Sequence, residues 1–186
     1  MKRIALLLSF VIVAVTSGMA QTKYITRTAE IYFKSNGEID DGVEATNAQV
    51  ATVLNGANGE MAFQVLIKAF KFKKALMEEH FNENYMESDQ FPKATFSGQI
   101  ENFEGIDLSA PGSHEVMVTG KMTIHGVTNE VSQEGSLEVL EDGSIRMKTH
   151  MLIPCADYGI EIPSVVADKI AKEIDVDIDA LLKPVS

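Results

Sequence analysis

A single cysteine, Cys155, rules out an internal disulfide, so the fold must be held by a packed core. Positive charge is scarce: 16 Lys and Arg stand against 27 Asp and Glu, for a formal net charge of −11. A body this acidic repels phosphate backbones at long range, which argues against general nucleic-acid binding. Beyond residue 20, no apolar run is long enough to cross a membrane as a helix. Metal-ligand spacings are missing as well, because His80, His114, His125 and His150 are scattered, without an H-x-x-x-H or C-x-x-C pair. No G-x-S-x-G elbow presents a serine nucleophile. No repeat, low-complexity run or linker divides the chain. These absences predict no metal, no cofactor and no catalytic residue.

The first 20 residues, MKRIALLLSFVIVAVTSGMA, have the layout of an export signal. Lys2 and Arg3 supply the charged start, Ile4 to Val15 the apolar centre, and Gly18 and Ala20 a small-residue cleavage pattern. Cleavage would leave a single domain over 21–186 in the periplasm or outside the cell. No cysteine follows the cleavage site to take a lipid, and no integral membrane segment remains.

The rest of the sequence is dominated by period-two alternation. One face of 116–124 carries Val116, Val118, Gly120, Met122 and Ile124; 61–69 presents Met61, Phe63, Val65, Ile67 and Ala69. In 94–100 the set is Ala94, Phe96, Gly98 and Ile100. Near the end, Ile174, Val176, Ile178, Ala180 and Leu182 form an apolar set that alternates with Asp175, Asp177 and Asp179. Successive strand side chains point to opposite faces, so each segment offers one apolar and one wet face. Segments 24–34, 131–140 and 145–153 behave alike. Turn signals such as Asn55-Gly56, Pro111-Gly112 and Asp142-Gly143 separate them. About eight such strands predict an antiparallel barrel or sandwich. Helix formers over 72–87 predict one helix, and PSVVADKIAK (163–172) predicts a second, short one.

Candidate chemistry is sparse. Asp175, Asp177 and Asp179 lack the glycine and late glutamate of a calcium loop and read as an outer strand face. Cys155 stands near Asp157, whose charge would raise rather than lower a thiol pKa. KAFKFKK (68–74) is locally basic in an acidic protein, which makes Lys71, Lys73 and Lys74 candidate partners for an anionic head group. The competing reading is a solvated lysine face. In GKMTIHGVTNEV (120–131), His125 precedes Gly126 between two strand-like runs. It is expected to brace a strand-to-strand corner, since no ligand or catalytic partner lies near it in sequence.

Three segments together carry a family resemblance. MEEHFNENYMESDQFPKATFSG (77–98), GKMTIHGVTNEV (120–131) and IPCADYGI (153–160) resemble, in order, the signature segments of YceI-like proteins. Met77-Glu78 and Pro154-Cys155 depart from the polar pairs common there. The resemblance implies a mainly β protein, an antiparallel, about eight-stranded lipocalin-like barrel with one or two short helices. It also implies a polyisoprenoid or similar long-chain amphiphilic lipid as the ligand. On this reading Phe63, Val65, Ile67, Phe96, Ile100, Val116, Val118, Met122, Ile124, Ile174, Val176 and Ile178 line the lumen. Two alternatives remain: an envelope stress or structural module with a filled barrel, and an enzyme acting on an exported small molecule.

Overall fold

The computed structural model describes residues 23–37, 43–166 and 168–185; the predicted export signal lies outside them. The strands, in chain order, are β1 (Lys23–Ser35), β2 (Glu44–Asn55), β3 (Glu60–Leu66), β4 (Lys71–Phe72), β5 (Lys93–Ile100), β6 (Gly112–Ile124), β7 (Val127–Val139), β8 (Ile145–Pro154) and β9 (Glu173–Val185). All pairings are antiparallel, in the order β1-β9-β8-β7-β6-β5-β3-β2, and β2 returns to β1. The result is a closed eight-stranded barrel, with the two-residue β4 added beside β2. Closure gives every strand of the ring a neighbour on both sides over at least part of its length, which leaves no edge strand for other chains to pair with.

The two ends of the barrel differ. At one end Val50, Leu54, Ile100, Leu137, Ile145 and Leu182 meet, none more than 1% exposed. Burying each such side chain is worth about 1.5–3 kcal/mol, so this end is the packed core. Phe103 closes it from below, tight against Gly59, where a Cβ would lie 2.5 Å from the ring. The other end holds two long connections, β3 to β5 with the helix α1 (Ala75–His80) and the run from β8 to β9, together with the tight β6–β7 hairpin. The α1 chain continues through Phe81–Tyr85 as a wider helical turn.

The helix is shorter than the 72–87 that its composition predicts. Phe72 is held in β4 opposite Ala45, and the helix starts only at Ala75. The second predicted helix, over 163–172, is not formed among the described residues; a single turn at Ser164–Val166 stands there. Helices this short are marginal without a face to bury, and Val165 is 84% exposed. The strand predicted over 61–69 ends at Leu66, and Ile67–Ala69 turn with Ile67 still buried. β2 has no clean alternation in sequence. Its buried positions run Ala45, Asn47, Val50, Thr52 and Leu54, a change of phase where the β1–β2 register shifts. Asn47 is fully buried but satisfied, donating to the Leu66 carbonyl at 2.9 Å.

Gly98 and Gly120 sit opposite each other on β5 and β6. A Cβ on Gly120 would lie 2.5 Å from the Gly98 Cα and 2.8 Å from the Phe96 ring. The room these glycines leave is taken by Phe96 and by backbone, not by a ligand. Gly120→Ala is expected to destabilise the fold by about 1–3 kcal/mol through overpacking, as urea unfolding would show.

Candidate functional site

Above the packed end the barrel is hollow, with a cavity of about 610 Å³ lined almost wholly by apolar side chains. Phe63, Val65 and Ile67 reach it from β3 and its end, and Phe96 from β5. β6 contributes Val116, Val118, Met122 and Ile124, and β9 contributes Ile174, Val176 and Ile178. Ile100 shares their inward face and pairs directly with Val118. It ends β5 in the packed core, 1% exposed, and does not line the cavity.

The richest part of the wall lies where the sequence draws the eye to lysines. In KAFKFKK the phenylalanines turn inward. Phe33, Phe70, Phe72 and Phe81 form one cluster, with ring centroids 5.1–5.7 Å apart. All four line the cavity, and Phe81 anchors the helical segment across its mouth. Offset and edge-on aromatic contacts of this kind add about 0.5–1.5 kcal/mol per pair beyond burial. Period-two reading through Phe70 and Phe72 points to these residues, but the charges between them dominate the segment.

The lysines themselves divide. Lys71 Nζ lies 2.7 Å from Glu78 Oε1, and Lys73 is ion-paired to Glu44. Glu44 also accepts from the Tyr32 hydroxyl at 2.5 Å. These bonds, that of Lys73 foremost, hold the Glu44 carboxyl below its ordinary range, and the Tyr32 phenol is pushed up to about 12 chiefly by its bond to Glu44. The charges of Lys71 and Lys73 are thus matched within the protein. Lys74 and, from the β8–β9 connection, Lys169 line the cavity itself, which Lys71 and Lys73 do not.

His125 braces the corner at which β6 turns into β7. It has φ 49° and Gly126 φ 77°, the left-handed pair that a two-residue hairpin of this hand requires. Its Nδ1–H donates to the Tyr158 carbonyl at 3.2 Å, and Nε2 lies 2.9 Å from Glu87 Oε2. The Phe91 ring packs edge-on against the imidazole, 4.6 Å between centroids. His150 is on the outer face, 2.9 Å from Asp177, and Arg146 grips Asp179 at 2.6 Å, so the alternating aspartates do form an outer, ion-paired face. Cys155 is buried in the cavity wall, where loss of solvent pushes its thiol pKa up. Among the described residues, no three His, Cys, Asp or Glu side chains gather where they could hold a metal ion.

The sequence model of the YceI-like domain matches residues 18–182. The chain belongs to the YceI-like family. Solved structures agree at the level of the fold. A polyisoprenoid-binding domain from Saccharophagus degradans aligns with a TM-score of 0.74 at 16% identity, over 88% of this YceI-like chain and 98% of that one. BcnA of Burkholderia cenocepacia gives 0.67 at 13% identity, over 83% and 96%. The YceI protein of Campylobacter jejuni gives 0.61 at 15%, over 80% and 88%. No curated protein sequence matches the chain.

A hollow end and a packed end predict opposite responses to added bulk. Val118→Phe should change stability by less than about 1 kcal/mol, since the cavity takes the ring. Leu137→Phe, in the packed end, should cost about 1–3 kcal/mol. Parallel urea titrations of the two variants would check the contrast.

Proposed function

We propose that this YceI-like chain binds and carries an isoprenoid-like lipid whose apolar tail lies in the barrel lumen. The observation that carries the reading is the open apolar cavity of about 610 Å³ above a solid core. The polyisoprenoid-binding description of a structurally similar domain supports the same ligand class. The signal-like start of the sequence supports work in the periplasm or outside the cell. A filled barrel would have favoured a purely structural module. The enzyme reading has little behind it: His125 and His150 are engaged with separate partners, and Cys155 is buried.

Size limits the ligand. At about 30 Å³ for each water-sized group, the cavity holds roughly 20 carbon-sized groups, or about four isoprene units. Each buried carbon contributes about 0.8 kcal/mol, against a binding cost on the order of 4–15 kcal/mol. One unit therefore gains too little to bind well, and several units gain enough. Affinity measured over a prenol series should climb steeply up to about four units and then level off. Bound prenol should also protect Cys155 from a thiol reagent, because that side chain lies in the wall. Prenols of every length failing to bind, with labelling of Cys155 unaffected, would overturn the reading.

The cavity mouth supports a preference for an anionic head group beside Lys74 and Lys169. The double variant Lys74→Glu, Lys169→Glu is expected to weaken binding of a prenyl phosphate while leaving the matching alcohol unchanged. Isothermal titration of both ligands would show it, and equal losses for the two would count against a head-group role.

A further inference from the structure

Of the ladders that close the barrel, those of β2 with β3 and of β7 with β8 are the shortest, at four residue pairs each, and the β1–β9 ladder is interrupted between Ile25 and Glu30. β4 and the turn Ile67–Ala69 continue the wall beside β2, whereas the break between β7 and β8 has no added strand. β7 pairs with β6 over its whole length, Val127 to Val139. Its ladder to β8 runs only from Ser136↔Lys148 to Val139↔Ile145. β8 pairs with β9 all the way to Pro154. Toward the open end, then, residues 127–134 of β7 and 150–154 of β8 have a ladder partner on one side only, while Gly135 still lies against Lys148 and Thr149. Strand edges left this way expose backbone donors and acceptors, which a closed barrel normally pairs.

Side chains stitch the lower corner of this gap. Thr149 Oγ1 donates to the Glu134 carbonyl at 2.6 Å, and Gln133 Nε2 donates to the His150 carbonyl at 2.8 Å. At the upper corner Asn129 Nδ2 donates to the Asp157 carbonyl at 2.8 Å, in the turn Cys155–Tyr158 that follows β8. Gln133 and Thr149 stand on the inward faces of their strands, where the surrounding wall is apolar. The same stretch, Gln133 to Ser136 with Lys148 and Thr149, lines both the lumen and a groove on the outer surface. Lumen and groove are therefore separated there by little more than a pair of side-chain bonds.

From this we infer that the β7–β8 gap is a second, lateral opening of the lumen, through which the tail of an isoprenoid longer than the lumen leaves the barrel. The inference rests on the carrier reading and extends it to chains beyond about four units. Charge orients such a ligand. The outer groove carries Glu30, Glu115 and Glu134 beside Asp177 and Asp179, the last two already paired with His150, Arg146 and Lys148, whereas Lys74 and Lys169 stand at the mouth. An anionic head is repelled at the gap and held at the mouth, so the tail end is the one that reaches the gap.

The test uses the wild-type protein and two prenyl phosphates, one of three isoprene units and one of eight, each with a photoreactive group at the tail end. After irradiation, peptide mass spectrometry locates the label. The short probe should mark lumen residues such as Met122 and Met151. The long probe should lose that label and mark the outer groove, around Tyr32, Glu115 or His150. A long probe that labels only the lumen or the mouth segments around Leu76 and Val166 overturns the lateral opening and leaves the carrier reading standing. If neither probe labels the protein, both readings fall.

Discussion

A closed barrel of eight strands has an interior of nearly fixed width, so whether it is solid or hollow is decided by what enters from its ends. At the packed end Leu54, Leu137, Ile145 and Leu182 converge, and Phe103 comes up against Gly59 to seal the base. The wall of the open end is no less bulky; Phe63, Phe96, Met122 and Ile178 are as large as their counterparts below. The difference lies in the roof. No residue of α1 is buried, and Phe81 packs against one wall rather than plugging the centre. The hollow follows from a roof that spans the barrel without descending into it.

That roof is held in shape by a few costly bonds. Glu87, His125 and the Tyr158 carbonyl form a chain that joins the helical connection, the β6–β7 corner and the turn after β8. Glu87 and His125 both have positive φ, 41° and 49°, which side-chain-bearing residues adopt only under constraint. Gly126 is needed twice over: its φ is 77°, and a Cβ would lie 2.6 Å from the Phe91 ring that packs on His125. Of the three side-chain-bearing residues with positive φ among those described, only Asn102 lies at the packed end, so most of this strain sits at one rim of the cavity and fixes the outline of its mouth.

How far the sequence reveals this depends on which physical signal is local. Alternation is local, and it correctly assigns Phe63, Val116, Val118, Met122 and Ile178 to an inward face. It reports the face and not whether neighbouring side chains cover the position, which is why Ile100 reads as lumen and lies in the core although its partner Val118 lines the cavity. Charge masks shape in KAFKFKK, where the lysines look functional and Phe70 and Phe72 build the wall. The start of the helix depends on Phe72 being captured by β2, a contact distant in sequence. β2 is obscured by a bulge and a buried Asn47, whose partner is the Leu66 carbonyl. His125 is readable as a corner from its glycine neighbour, but its partners Glu87 and Tyr158 come from segments 38 and 33 residues away.

The same imbalance bears on energetics. In the packed end apolar side chains satisfy one another, so that half of the barrel needs nothing from outside. In the open end apolar surface faces a space that only water or a ligand can fill, and water recovers none of the transfer free energy. The split of β7 from β8 lies in this half, where Gln133 and Thr149 replace ladder bonds with side-chain ones. Any molecule that fills the lumen therefore stabilises the weaker half selectively, by mass action on the folded state. Coupling between occupancy and local stability then follows from the distribution of side chains along the barrel, with no moving lid required. The solid end sets the fold, and the hollow end is the half that a bound molecule would stabilise.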